Sequence, residues 1–501
     1  MSSFGSRLRF ASILALLISS FFGLAAGQSR QSGEIRGTVT DQSQAVLPGV
    51  KVTITNTSTG VVQTITTDAS GVYDAPYVAP GEYSLTFSKD TFKTLVRDGI
   101  ELHVQTVTIN AALDVGMSSE KVTVTATQPD LETETTDTNT RFGTNLVADA
   151  PTGNRSWMDI LASLPGVNPG WNEKTGGDSV GVNGQAGYFS NWQIDGGIAM
   201  FGQSSNADLL APPIDSIEEV SANTSNFGAE HGSGFSVFNV ITKSGTNSFH
   251  GTVYEYIQND AFNALNKFAQ SQPPIRWNEY GFNIGGPIKK DKAFFFFAYQ
   301  RNPSNTSSPA PTSYPTTGPT GYTNGDFSVL LGAPAVDNDG NPIINPCNGQ
   351  QVINGQIFDP ATTDPNNGNC RLPFAGNIIP QNRMDPVALE VQKNFPAPNR
   401  PGLFNNYYTN LASPNTNTWF QGKVDYDITP KNRLTGSMMY VKYNTPLNDQ
   451  NCAINCGSWG GTEPQGQLTD VWTVTPNLVS EFRFSLSRAR GVATVNNQGQ
   501  G

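Results

Sequence analysis

The chain has 501 residues and is acidic, with 41 Asp and Glu against 30 Lys and Arg and a formal net charge of −11, which argues against nucleic acid as a partner. Only 37% of residues are apolar and 14% charged, while Gly (50) and Pro (33) are abundant and aromatics reach 10%. That composition excludes a helical enzyme and a disordered chain, and it suits many short strands joined by Gly/Pro/Asn/Asp turns.

The first predicted element is an export signal over residues 1–27. Arg7 and Arg9 precede the apolar run FASILALLISSFFGL, with Ala25 and Gly27 at the −3 and −1 positions of a cut. The run is short for a bilayer span, and no later segment reads as a spanning helix. Passage through a membrane would therefore require a β-barrel, the other structure that satisfies its backbone within lipid.

Residues 33–115 read as a small β-sandwich. Val50, Val52 and Ile54 share one strand face and Tyr83, Leu85 and Phe87 another, with LPGV, DASG and APGEY as turns. The stretches GTVTD, LPGVKVTITN, TTDASGVY and APGEYSL resemble the carboxypeptidase regulatory-like domain, a transthyretin-like sandwich. The resemblance does not extend to catalysis. There is no H-x-x-E to hold a zinc ion, and the pair Glu218–Glu219 reads as solvated surface. The expected protein is not an enzyme and uses no cofactor or metal. Its three histidines stand at no ligand spacing near a cysteine.

Residues 119–139 follow as a strand and an acidic, Thr-rich linker. Val122, Val124 and Ala126 alternate with Thr123, Thr125 and Thr127. Two readings stay open: the last strand of the sandwich, or a strand lent to a partner's sheet edge. The segment Glu120, Lys121, Val122, Thr123, Val124, Thr125, Ala126 resembles the TonB box of outer-membrane receptors.

Residues 140–248 resemble the plug domain of TonB-dependent receptors, carried by LPGV, VNGQ, IDGG, IEEV, FGAEHGSG and NVITKSGTNSFHG. The last phrase resembles the plug-to-barrel junction of the Oar-like branch. Within it NRSWMDILASLPGVNP predicts a short helix capped by Asn154, with Trp157, Ile160, Leu161 and Leu164 on one side. Tyr188, Phe189 and Trp192 are candidate solute-facing residues, with packing against the barrel wall as the other role open to them.

From 249 to 501 seven strands of about ten residues alternate with long and short connections, the pattern of an outer-membrane barrel with short periplasmic turns and long external loops. In AFFFFAYQRN, Phe294 and Phe296 should point one way and Phe295 and Phe297 the other, one pair to lipid and one to the plug. Trp277, Tyr280, Tyr299 and Trp419 are expected in an aromatic girdle. A segment of well over a hundred residues, to about Asn417, separates the third and fourth strands. The cysteines suggest disulfides Cys347–Cys370 and Cys452–Cys456.

The fold expected is thus mainly β: a sandwich, an α+β plug, and the first strands of a large antiparallel barrel. Receptors of this resemblance use twenty-two strands, so these seven suggest part of a receptor about twice as long. The resemblance implies residence in the outer membrane, in contact with lipid, with import of a small-molecule or oligosaccharide solute energised by the partner TonB. The alternative is a carbohydrate-binding or adhesion protein without transport.

Overall fold

The computed structural model describes residues 32–117, 121–125, 138–150, 155–172, 177–185, 190–199, 212–227, 234–265, 274–313, 324–393 (except 367 and 369), 395–402, 404–447, 457–475 and 478–495, together with 152, 267 and 272. The export signal lies outside these residues.

The sandwich is built from β1 (Gly33–Asp41), β2 (Lys51–Asn56), β3 (Val62–Thr66), β4 (Val72–Val78), β5 (Gly81–Ser88), β6 (Thr94–Leu102), β7 (Thr106–Thr108), β8 (Ala111–Leu113) and β9 (Lys121–Thr125). One sheet runs β3-β2-β5-β6-β9, and the other centres on β1, flanked by β4 and by β7 and β8. Alternate residues of β2 and β5 turn inward. Val50, Val52, Ile54, Tyr83, Leu85 and Phe87 thus join one core with Ile35, Tyr73, Ile100 and Leu113. The DASG turn is fixed by the Asp68 carboxylate, which accepts from the Ser70 and Val72 amides at 2.8 and 2.9 Å. β9 pairs parallel with the Thr94–Asp98 stretch of β6 and forms the sheet's edge. Residues 121–125 are therefore the sandwich's last strand in this structure, and Glu120 and Ala126 lie outside the described residues.

The plug comprises β10 (Thr138–Gly143), α1 (Thr144–Asp149), α2 (Met158–Leu161), the hairpin β11 (Val167–Asn172) and β12 (Gly177–Val182), then β13 (Ser190–Ile194), β14 (Gly197–Ile198), β15 (Ile217–Ser225) and β16 (Ser236–Thr242). Five strands form a mixed sheet in the order β10-β15-β16-β13-β14, with β13 and β16 parallel. Every residue of β16 is buried, because the sheet lies between the plug's own helices and the barrel wall. Trp157, Ile160, Leu161 and Leu164 all enter the plug core. The helix is shorter than expected. Its N-cap position falls on Trp157 with no side-chain cap, and Asn154 is outside the described residues.

The wall is a meander of β17 (His250–Asn259), β18 (Ile275–Lys289), β19 (Ala293–Thr312), β20 (Tyr407–Thr429), β21 (Asn432–Leu447), β22 (Gly457–Thr475), β23 (Leu478–Ser487) and β24 (Arg490–Val495). Neighbours from β17 to β23 are antiparallel. β24 continues the β23 register against β22. The interruption sits opposite Pro464, which has no amide to donate, although its carbonyl still accepts from Arg488 at 3.0 Å. Among the described residues this sheet does not close.

Several strands are longer than expected. β19 and β20 stay paired from Ala293↔Tyr426 to Thr312↔Tyr407, so the long connection is shorter than the sequence suggests, ending before Tyr407 rather than near Asn417. The distal half of β19, PSNTSSPAPT, contains no large apolar residue, which hides it from a search for amphipathic strands. The connection itself carries the Cys347–Cys370 disulfide and α3 (Pro386–Gln392), capped by Asp385 accepting from the Val387 amide at 2.7 Å. Cys452 and Cys456 lie outside the described residues.

The four phenylalanines of β19 divide as alternation requires. Phe294 and Phe296 are 0% and 1% exposed, while Phe295 and Phe297 turn outward. The outward face of the wall carries Phe282, Tyr299, Phe420 and Tyr440 in consecutive ring contacts of 5.9, 5.0 and 6.2 Å across four strands. This apolar, aromatic band is what a lipid-facing surface requires. Trp419 departs from the expected girdle. It shares strand parity with the buried Gln421 and Lys423 and packs on Ile194, Ala199, Met439 and Val441. It therefore faces the plug.

Candidate functional site at the plug, wall and sandwich junctions

Three junctions hold the plug, and each rests on buried or half-buried charged side chains. In the first, Arg155 leaves the plug through a left-handed backbone position (φ 54°) just before α2. Its guanidinium donates to Asp215 of the plug at 2.7 Å and to Glu279 of β18 at 3.0 Å, and lies 3.6 Å from the centre of the Tyr256 ring on β17. Glu279 is 3% exposed and also accepts from Asn302 at 3.3 Å. One plug cation thus neutralises an acid of its own domain and an acid of the wall, with the fork geometry that favours Arg over Lys.

The second junction explains the IDGG stretch. Asp195 sits at a tight turn (φ 47°) between β13 and β14. Its carboxylate accepts from the Thr242 amide at 3.0 Å and the Thr242 hydroxyl at 2.7 Å, and pairs with Lys423 of β20 at 3.2 Å. The Lys423 ammonium also donates to the Thr242 carbonyl at 3.0 Å. Gln467 of β22 donates to the Asp195 carbonyl and Arg483 of β23 to the Gly196 carbonyl, both at 2.7 Å. The wall comes so close that a Cβ on Gly196 would lie 2.4 Å from the Arg483 Nη1, and one on Gly197 2.1 Å from the Gln467 Oε1. At Gly196 the left-handed backbone (φ 67°) disfavours any other residue, while at Gly197 a side chain would require Gln467 to move aside.

The third junction joins the sandwich to the plug and to the short-turn rim of the wall. His103, just after β6, meets Glu219 of β15 at 3.0 Å, with Glu101 at 3.6 Å on its other nitrogen. Arg141 of β10 lies 3.9 Å from Glu219 and donates to Gln105 at 2.9 Å. Glu219 is 1% exposed, which corrects the expectation of a solvated acid pair: β15 is covered by both domains. The hydrogen bond that the imidazole donates to Glu219 is the largest influence holding His103 above its ordinary value of 6.5, and burial pushes Glu218 up. A raised His value means that docking draws its full contribution from His103 below about pH 6.5 and loses it as pH rises through the elevated value. We expect the protection of the amides at residues 103–105, taken from exchange rates corrected for their intrinsic rise with pH, to fall between pH 6 and 8, and this fall to be abolished in His103→Ala.

At the rim itself, Asn247, in the SGTN stretch between β16 and β17, donates from its amide to the Ser58 carbonyl at 3.0 Å and from its side chain to the Thr59 carbonyl at 2.5 Å. The same side chain exchanges hydrogen bonds of 2.6 and 2.8 Å with Asp291 in the turn between β18 and β19. A Cβ on Gly245 would lie 2.2 Å from the Phe295 carbonyl oxygen, so the junction phrase is set by close backbone passage along the wall.

The candidate residues from sequence fall in different places. Trp192 is 4% exposed, stacked on Phe238 at 4.4 Å and edge-on to Trp157 at 5.9 Å. It is a plug-core residue and not a solute contact, since the face it lies on is covered from within the domain. Tyr188 and Phe189 lie outside the described residues. Val122 and Val124 are 37% and 38% exposed on the edge strand. Sequence reading missed Arg155, Asp195, Glu279 and Lys423. A signal was present in QGKVDYD, where Lys423 and Asp425 alternate with the outward Val424 and Tyr426.

A plug sheet ionically stitched into an antiparallel wall with an aromatic outer band defines a plug-bearing outer-membrane barrel. Residues 241–501 match the outer membrane beta barrel domain; the chain belongs to that family and is a protein of the outer membrane. Residues 34–114 match the carboxypeptidase regulatory-like domain. The chain is similar to the TonB-dependent transporter Oar of Myxococcus xanthus, 29% identical over 332 residues, which are 62% of this chain and 29% of Oar. The chain thus spans less than a third of that curated relative. Solved structures similar to it include the outer membrane transporter YddB of Escherichia coli, at 12% identity and TM-score 0.41 over 70% of this chain and 38% of that one. The siderophore receptor PirA of Pseudomonas aeruginosa is another, at 12% identity and TM-score 0.37 over 71% and 41%.

Proposed function

We propose that the protein works as a TonB-dependent receptor that imports a small-molecule or oligosaccharide solute into the periplasm, with TonB acting on the strand around Glu120–Ala126. The working division is a signal at 1–27, the sandwich at 33–115, the coupling strand and linker at 119–139, the plug at 140–248 and the wall from 249. The observation that supports this reading most is the arrangement of the plug. It is held to the wall by discrete ion pairs of Arg155 and Asp195, contacts that a pull could break and solvent could replace. The edge position of β9 adds to it. An edge strand offers its backbone to a partner's sheet, and β9 directly precedes the plug. No enzymatic role is part of the proposal.

The test is deletion of residues 121–125 in the receptor expressed in its own outer membrane. Loss of uptake across a solute panel, with surface binding retained and the TonB periplasmic fragment no longer captured, is the expected result. Unchanged uptake would remove the coupling strand from the account. Binding with no uptake in either protein would favour adhesion.

A further inference from the structure

We propose that the sandwich domain is a removable cover for the inner mouth of the barrel, sealing a polar cavity between itself, the plug and the wall. The cavity has a volume of about 200 Å³, and all three domains line it. The sandwich supplies its floor through two connections, Asn56–Thr59 and Tyr77–Gly81. The plug contributes Asp195, Glu218 and Thr242, and the wall Lys423, Asp425 and Arg433. A second, smaller cleft places the same sandwich connections against the turn Thr429–Asn432 between β20 and β21. The docked domain thus lies along the short-turn rim, from Asp291 at one hairpin to Pro430 and Lys431 at the next.

The chemistry of the dock is that of a reversible contact. Its attachments are polar: the Asn247 bonds to Ser58 and Thr59, with Asp291 of the wall turn holding the Asn247 side chain in place, the His103–Glu219 pair and the Arg141–Gln105 bond. The sandwich keeps its own hydrophobic core, which among the described residues draws none from the plug or wall. Its departure would leave that core intact and exchange polar contacts for water, which costs little net. The groups uncovered at the mouth include the charged Asp195, Glu218, Lys423, Asp425 and Arg433, which suit water as well, beside the apolar Ile241 and Val471. If β9 is the coupling strand, a partner pulling on it pulls the cover first, because β9 belongs to the cover's sheet; that corollary rests on the function proposed above, and the cover does not.

The test needs neither solute nor partner. Ser244, which lines the cavity and is half-buried, is replaced in Ser244→Cys. The reaction of this thiol with a bulky membrane-impermeant maleimide is then followed in the full chain, reconstituted with the short-turn rim open to the reagent. The cover predicts slow labelling, accelerated at least tenfold by Asn247→Ala with Asp291→Ala. Both of those changes lie outside the sandwich core, and protease resistance of the sandwich reports that it stays folded. Equal, fast labelling in parent and variant would show that nothing seals the cavity. Equal, slow labelling, also with His103→Ala added, would show that plug and wall close it alone. Either result overturns the proposal and leaves the coupling-strand deletion to be judged by itself.

Discussion

Replacing Arg155 with alanine is expected to loosen the plug from the wall by about 3 kcal/mol, the lower end of the range for removing one partner of a buried ion pair. The low end applies because the Arg155 side chain is 16% exposed. What makes the effect large is the residue left behind. Among the described residues Glu279 keeps its Asn302 contact alone once the guanidinium is gone, and a buried carboxylate without a cation is costly. Asp215 and the Tyr256 ring lose a partner in the same step. Arg155→Lys should recover part of the loss, since an ammonium restores charge but cannot fork between two acids. Glu279→Gln should cost less than Arg155→Ala, because a neutral amide is cheaper to bury. The measurement is the urea concentration at which the plug becomes protease-sensitive while the wall remains folded. A midpoint unchanged in Arg155→Ala would mean that the ion pairs do not hold the plug.

Trp192→Ala should destabilise the plug by about 3–5 kcal/mol, the usual cost of emptying a large aromatic site in a core. The ring lies between Trp157 and Phe238, and no neighbouring backbone can collapse into the space without breaking the β13–β16 pairing. Trp192→Phe should keep most of the stability. Were Trp192 instead a solute contact, alanine would weaken solute binding and leave the plug's denaturation midpoint where it was. The two outcomes separate packing from recognition.

The sequence was most legible where one period of alternation governs the chain. The division of Phe294 and Phe296 from Phe295 and Phe297 follows from a strand with two unlike faces; which pair turns inward is read from the structure. The polar half of β19 was hidden because strand pairing above the lipid needs no apolar face. The plug was legible as a resemblance and much less as physics. IDGG and SGTN reveal their purpose only when Arg483, Gln467 and the Phe295 carbonyl are seen against the glycines, contacts that join residues far apart in the chain. Trp192 and Trp419 were misplaced for a related reason: an aromatic side chain suits a core, a girdle and a binding face equally well. Glu219 was misjudged because its cover comes from a separate domain.

The central claim is that the outward face of the wall meets lipid while the inward face meets the plug. It is tested most directly by nitroxide labels placed in turn at Ile284, Phe297 and Leu468 on the outer face, and at Asn283 and Ala298 on the inner face, in bilayer-reconstituted protein. The account predicts that the outer labels relax readily with dissolved oxygen and barely with a water-soluble nickel chelate, and that the inner labels respond weakly to both. Outer labels relaxed freely by the nickel chelate, as on a body surrounded by water, would contradict it.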